Sequence, residues 1–244
     1  MFSEIKNSHG EKLDFTFHRG SDGGRLLVVI GHGVTGNKDR PFVVALAESL
    51  AKSGISALRF SFSGNGGSGG RFVDSTITKE AADLGAVLDV VAADDREICF
   101  VGHSMGGAVG VIRASEDARL NRLISLAGMV DTAGFARREF GDVEPDKGNM
   151  WDNPECPLSK AFMDDLADIG SVADRGAKIT VPWLLVHGTD DDVVPIQDSK
   201  DILAKAGANA ELIQISGSDH VFSGDACRHM ISAVTGWLKP VGQA

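Results

Sequence analysis

Apolar residues along this 244-residue chain gather in short continuous runs separated by amphipathic stretches. LLVVI (26–30) is five apolar residues in succession, the pattern of a strand covered on both faces. ISALRF (55–60), EICFVGHS (97–104), RLISLAG (122–128), WLLVHG (183–188) and ELIQIS (211–216) repeat it. Between them lie segments with helical spacing. Pro41 opens one, FVVALAESLAKSG, which Gly54 closes. TKEAADLGAVLDVVA is another, with Thr78 expected as its N-cap and Glu80 in the first turn, where a helix favours an acid. MGGAVGVIRAS (105–115), a stretch from about Pro195, and ACRHMISAVTGWL (226–238) complete the set. Phe2–Asn7 and Lys12–His18 alternate loosely around the turn-like SHGE and predict an edge hairpin. Strands alternating with helices predict an α/β fold: a mostly parallel sheet, eight strands with the hairpin included, and helices on both faces.

One stretch breaks this rhythm. From Gly128 to Thr180 no strand is evident, and LSKAFMDDLADI (158–169) has helical spacing. So long an interruption inside a compact domain is usually functional. The expectation is a single domain over 1–244 with a small cap inserted at 129–180.

Composition narrows the partners. With 43% hydrophobic and 24% charged residues the chain is an ordinary globular one. Its net charge of −10 argues against nucleic acid and against anionic membranes, and leaves a small-molecule substrate open. Three cysteines do not form a disulfide framework, and no CxxC or Cys/His cluster points to a metal. MFSEIKNSHG lacks the basic and apolar stretches of a secretory leader, so the expected location is the cytoplasm.

Chemistry concentrates at Gly102-His103-Ser104-Met105-Gly106, between a predicted strand and a predicted helix. A serine on such a turn exposes its Oγ, and glycines two positions to either side avoid collisions with backbone. The helix start turns free N–H groups toward a developing oxyanion. A bland alternative is a serine N-cap in a Gly-rich turn. A nucleophilic serine needs a base, and His220 lies in a loop (SGSDHVFSG) after a strand, where α/β sheets place their sites. A surface histidine would read the same. The base needs an orienting carboxylate, and HGTDDDVVP (187–195) offers Asp190, Asp191 and Asp192. Physical reasoning says only that one is buried and the others wet.

Taken together these segments resemble the α/β-hydrolases, in which the order serine, acid, histidine recurs. Members often read HGxxDxxVP around the acid, and His187, Gly188, Val194 and Pro195 match, which makes Asp191 the acid. Gly31-His32-Gly33-Val34-Thr35-Gly36 resembles the HGxTG loop, which implies the backbone N–H groups of Val34 and Met105 as oxyanion donors and leaves His32 structural. HGVTGNKDRP, RFSFSGNGGSGGRF and STITKEAADLGAVLD are similar to the cinnamoyl and feruloyl esterase branch. That resemblance implies a carboxylesterase acting through an acyl-enzyme on Ser104, with Gly33 and Trp151 as substrate contacts; Trp151 serves equally as an anchor of the cap. Two positions depart from the branch: Ser61 replaces an aspartate and Asn65 a histidine. There is also no tyrosine to recognise a phenol.

Other readings stay in view. GHGVTG (31–36) and GNGGSG (64–69) match a dinucleotide fingerprint, but ALRFSFSG offers no acid to hold a ribose. A non-catalytic receptor on the same fold is a second alternative. Thioesterase, lipase-like, carbon–carbon hydrolase and acyltransferase chemistry need the same residues. The expectation is a small-molecule ester as partner, no cofactor, no metal, and a monomer or homodimer.

Overall fold

The computed structural model describes residues 2, 4–21, 24–92 and 96–239. Its centre is a seven-stranded sheet: β3 (Phe15–His18), β4 (Leu26–Gly31), β5 (Ser56–Phe60), β6 (Glu97–His103), β7 (Leu120–Leu126), β8 (Trp183–Gly188) and β9 (Ala210–Ile215). The spatial order is β3-β5-β4-β6-β7-β8-β9, with β3 antiparallel to β5 and every other neighbouring pair parallel.

The sheet therefore has seven strands where eight were expected. The predicted hairpin exists, but its first arm never joins the sheet. β1 (Ile5–Lys6) pairs only with β2 (Lys12–Leu13), in a separate two-stranded ribbon. The chain then breaks at Asp14 and continues as β3 along the sheet edge. Of the expected first arm, Ser3 lies outside the described residues. A polar tie holds the ribbon: Asn7 Nδ2 donates to Asp83 Oδ1 at 2.8 Å, and the Ser63 N–H donates to Asp83 Oδ2 at 2.7 Å.

Side-chain alternation along the strands sorts the core into two layers. Val28, Ile30, Cys99, Val101, Ile124, Leu184 and Val186 pack under α1 (Pro41–Lys52) and, through Met230 and Val234, under α7 (Asp225–Leu238). Leu27, Val29, Phe100, Leu123, Trp183 and Leu185 pack on the other side. That layer holds α2 (Ile77–Val91), α3 (Met105–Ala114) and, through Ile202 and Ala206, α6 (Ile196–Ala206). Each fully buried Leu, Val or Phe is worth roughly 1.5–3 kcal/mol.

The segment between β7 and β8 forms two helices, α4 (Thr132–Phe140) and α5 (Lys160–Ile169), with short 3-10 turns. Phe135, Phe140, Phe162 and Leu166 join it to the second layer. Its entry is held by Asp198, whose Oδ2 accepts from the Val130 N–H at 2.7 Å and the Asp131 N–H at 3.0 Å.

The start of α2 differs from expectation. Thr76, in extended conformation, caps the helix by accepting from the Lys79 N–H at 3.1 Å, so Thr78 lies inside the first turn. Ile77 is fully buried, and its burial draws the helix start back two positions. Thr76→Ala is expected to lower stability by about 1 kcal/mol, the usual cost of a lost cap, and Thr78→Ala by less than half of that. Urea midpoints of the two variants distinguish the caps.

Candidate active site

The strand order reverses between β4 and β6, because β5 lies on one side of β4 and β6 on the other. Open α/β sheets leave a crevice at such a point, beyond the carboxyl ends of the strands. Here the loop after β4 (32–36) faces the turn after β6, where Ser104 sits.

Ser104 has φ 54° and ψ −120°, a backbone conformation that costs an L-residue about 1–3 kcal/mol. Neighbouring backbone holds it there. The Ser104 N–H donates to Leu126 O at 3.0 Å, and Ser104 O accepts from the Gly107 and Met129 N–H groups at 2.8 and 2.9 Å. The flanking glycines are sterically required. A Cβ on Gly102 would lie 2.1 Å from Gly106 O, and one on Gly106 would lie 2.5 Å from His32 O. The result is a buried hydroxyl without a hydrogen-bond partner among the described residues.

His220 comes from the loop between β9 and α7. Its Nδ1 lies 2.8 Å from Asp191 Oδ2, so Nδ1 carries the proton and donates to the carboxylate. That leaves Nε2 with a free lone pair. The His220 carbonyl accepts from His103 Nε2 at 2.9 Å, which ties the His220 loop to the serine turn. The two imidazoles are 4.7 Å apart, centre to centre. Burial pushes His103 down to about 3, so it stays neutral and keeps that donor.

The three consecutive aspartates have three environments. The Asp191 side chain is fully buried; Asp190 and Asp192 are exposed. Asp191 Oδ1 accepts from the Val193 and Val194 N–H groups at 3.0 and 2.9 Å. His187 Nε2 approaches Oδ2 at 3.3 Å while donating to Val194 O at 2.9 Å, and its Nδ1 accepts from Ser199 Oγ at 2.7 Å. Burial alone would raise the Asp191 carboxyl. The bonds from His187, His220 and the Val194 N–H outweigh it and hold the group well below the usual carboxylate range. His187 was read from sequence only as a motif match; its spacing of four before Asp191 was the available signal.

The loop after β4 completes the site. His32 Nδ1 donates to Gly33 O at 2.8 Å, and its Nε2 accepts from the Phe62 N–H at 3.0 Å. Burial pushes His32 down to about 4, consistent with a neutral ring bonded to backbone on both sides. A Cβ on Gly33 would lie 2.7 Å from Ser104 Cβ, so only glycine lets this loop close on the serine. Neither the Val34 N–H nor the Met105 N–H donates a hydrogen bond among the described residues.

Gly33, Val34, Ser104, His220, Trp151 and Val221 line one cleft of about 250 Å³, together with Arg40, Phe42 and Val193, which sequence reasoning did not single out. Asp191 reaches the cleft only through His220. Met105 does not line it; it borders an adjoining cavity of about 10 Å³ shared with Val34, Asn65 and Glu80. Trp151 both lines the cleft and anchors its segment. Its Nε1 donates to Glu139 Oε2 at 2.9 Å, and its ring meets Phe140 edge-on at 4.9 Å. Asn65 donates to Ser63 O and Ser75 Oγ, and Ser61 Oγ accepts from the Lys38 N–H, so both departures from the branch pattern serve loop structure. No group of three or more His, Cys, Asp or Glu side chains among the described residues is placed to hold a metal ion.

Glu80 is buried, with Oε2 unpartnered among the described residues, and burial, reinforced by Asp83 and Asp165, raises its carboxyl well above the ordinary value of 4.5. The folded protein therefore keeps this proton to higher pH than the unfolded chain. The resulting stability is complete below the unfolded value and is lost as pH rises through the folded one. Glu80→Gln is expected to gain stability over the parent as pH climbs from 5 to 8; a constant gap between their urea midpoints would contradict this.

Comparison with known proteins follows the geometry. Residues 26–228 match the model of the Alpha/beta hydrolase family. The structure superimposes on Est1E from Butyrivibrio proteoclasticus, solved with ferulic acid bound, with a TM-score of 0.86, 27% identity and 97% of each chain covered. It superimposes on alpha/beta hydrolase domain-containing protein 10 from mouse with a TM-score of 0.78 at 20% identity, over 98% of each chain, a likeness of fold alone. The human palmitoyl-protein thioesterase ABHD10, mitochondrial, is 25% identical over 191 residues, which cover 72% of this chain and 61% of that protein. By its fold and by the match over residues 26–228, this chain belongs to the alpha/beta hydrolase family.

Proposed function

We propose that this protein is a serine carboxylesterase acting on small to medium carboxylic esters, aromatic cinnamoyl-type esters among them, through an acyl-enzyme on Ser104. The observation that carries the reading is a buried, unpartnered serine hydroxyl on a strained turn, in the same cleft as a histidine oriented by a buried aspartate. Est1E, with its bound ferulic acid, supports the aromatic ester class. The human relative's name supports thioesters as the second reading.

In the mechanism, Ser104 Oγ attacks the ester carbonyl carbon while His220 Nε2 takes the hydroxyl proton. The carbonyl oxygen becomes an oxyanion held by the Val34 and Met105 N–H groups, each worth about 3 kcal/mol to the transition state. Collapse of the tetrahedral species breaks the C–O bond, and His220 returns its proton to the departing alcohol. Water then attacks the acyl-enzyme with His220 again as base, and the acid leaves as Ser104 recovers its proton. Asp191 keeps the Nδ1–H tautomer throughout and stabilises the imidazolium. Residues 129–180 act as a cap on a single domain, with Gly33 and Trp151 touching substrate. The three unpaired cysteines are compatible with a reducing cytoplasm.

Hydrolysis of p-nitrophenyl esters from acetate to decanoate, with methyl ferulate alongside, tests the reading. Ser104→Ala is expected to abolish turnover while leaving the melting temperature within a few degrees. Inertness of the parent toward every ester, thioesters included, would refute the assignment. Asp191→Asn is expected to lower kcat about ten-thousand-fold through the wrong histidine tautomer. Asp190→Asn and Asp192→Asn, at exposed positions, are expected to stay within about twofold. Equal losses across the three would overturn the role of Asp191.

A further inference from the structure

The cleft wall is unusual for this chain in two respects. Trp151 and Val221, the exposed large hydrophobics among the described residues at 44% and 42%, both lie on it. Exposed apolar surface gathered at one concave site marks a place where something binds. The wall also carries one lasting charge. Among the described residues no aspartate or glutamate lines the cleft, and apart from its histidines the sole ionisable lining residue is Arg40.

Arg40 is held in place without being neutralised. Its Nη2 donates to Thr35 O at 3.1 Å, which fixes the guanidinium against the 32–36 loop. Among the described residues it forms no ion pair, while the two residues before it do: Lys38 pairs with Asp14 and Asp39, and Asp39 also pairs with Arg59. In a chain of net charge −10, carboxylates are plentiful, yet none is placed on this cation. It lines the cleft together with His32, His103 and His220.

The geometry points to Arg40 as a specificity-determining residue for an anionic substrate: an ester with an apolar portion against Trp151 and Val221 and a carboxylate or phosphate beyond the scissile bond, paired with the guanidinium. The inference rests on the esterase reading above. A guanidinium presents a planar fork of donors that a carboxylate or phosphate accepts in two parallel bonds. A neutral ester leaves those donors to water. The anion can stand on the acyl half or on the alcohol half; both present the same chemistry to Arg40, and two pairs of substrates separate them.

For the acyl side the pair is mono-p-nitrophenyl glutarate and p-nitrophenyl valerate. For the alcohol side it is 4-butanoyloxybenzoate and its methyl ester. The readout within each pair is the ratio of kcat/KM, anionic over neutral, in the parent, Arg40→Gln and Arg40→Lys. Relative to Arg40→Gln, the parent ratio is expected to be about tenfold higher in one pair, the scale of a charge-assisted hydrogen bond. Arg40→Lys is expected to restore part of it, and added salt to shrink it in the parent and in Arg40→Lys but not in Arg40→Gln. A ratio that Arg40→Gln leaves unchanged in both pairs overturns the inference while Ser104-dependent turnover of the neutral esters keeps the esterase reading intact. Equal losses on neutral and anionic members would make Arg40 a support of the loop and overturn it as well. No turnover of any of the four esters overturns the esterase reading and this inference together.

Discussion

The turn at Ser104 is the constraint on which the rest of the site depends. A left-handed residue between a strand and a helix is unfavourable alone, and three backbone hydrogen bonds with two side-chain-free neighbours hold it. The approach of Gly102 to Gly106 and of Gly106 to His32 leaves no room for even one methyl group. Because α3 must start immediately after the serine, the Met105 N–H is left outside the helix ladder, and because Gly33 closes against Ser104, the Val34 N–H is brought to the same rim. A strained backbone thus leaves a buried serine hydroxyl without a partner and two spare backbone donors, from one geometric cause.

The polar groups around it have divided tasks. Four histidines lie near the site, and hydrogen bonds assign a different role to each. His32 joins two loops, His103 holds the carbonyl of the His220 loop, and His187 steadies the aspartate. Only His220 lines the cleft with one ring nitrogen bonded to a carboxylate and the other unbonded. Burial keeps His32 and His103 neutral, so neither adds a positive charge beside His220.

Much of this was legible in the sequence, for physical reasons. Strands covered on both faces must be continuously apolar, so β4 to β8 stood out as runs, and the glycines around Ser104 announced a turn that only they permit. The choice of Asp191 among three aspartates came from a family pattern, because its burial depends on partners, His187 and His220, that lie in other elements or across a turn. What escaped was set by tertiary contact. Thr76 and Thr78 are equally good caps in isolation, and burial of Ile77 decides between them. The first arm of the N-terminal hairpin has strand-like alternation, yet its place off the sheet is decided by Asp83, some seventy residues away. Arg40 reads as an ordinary residue before a helix proline until its neighbours are in place.

The bond from His103 to the His220 carbonyl joins residues 117 apart in sequence, and the one from His220 to Asp191 spans 29. Each such contact carries the chain entropy lost in closing its loop, a cost that grows only slowly with loop length. Ser104, Asp191 and His220 therefore stand together only because segments far apart in the chain are fastened to one another. A change at His103 or in the His220 loop acts at both ends of that fastening, although the two belong to different elements.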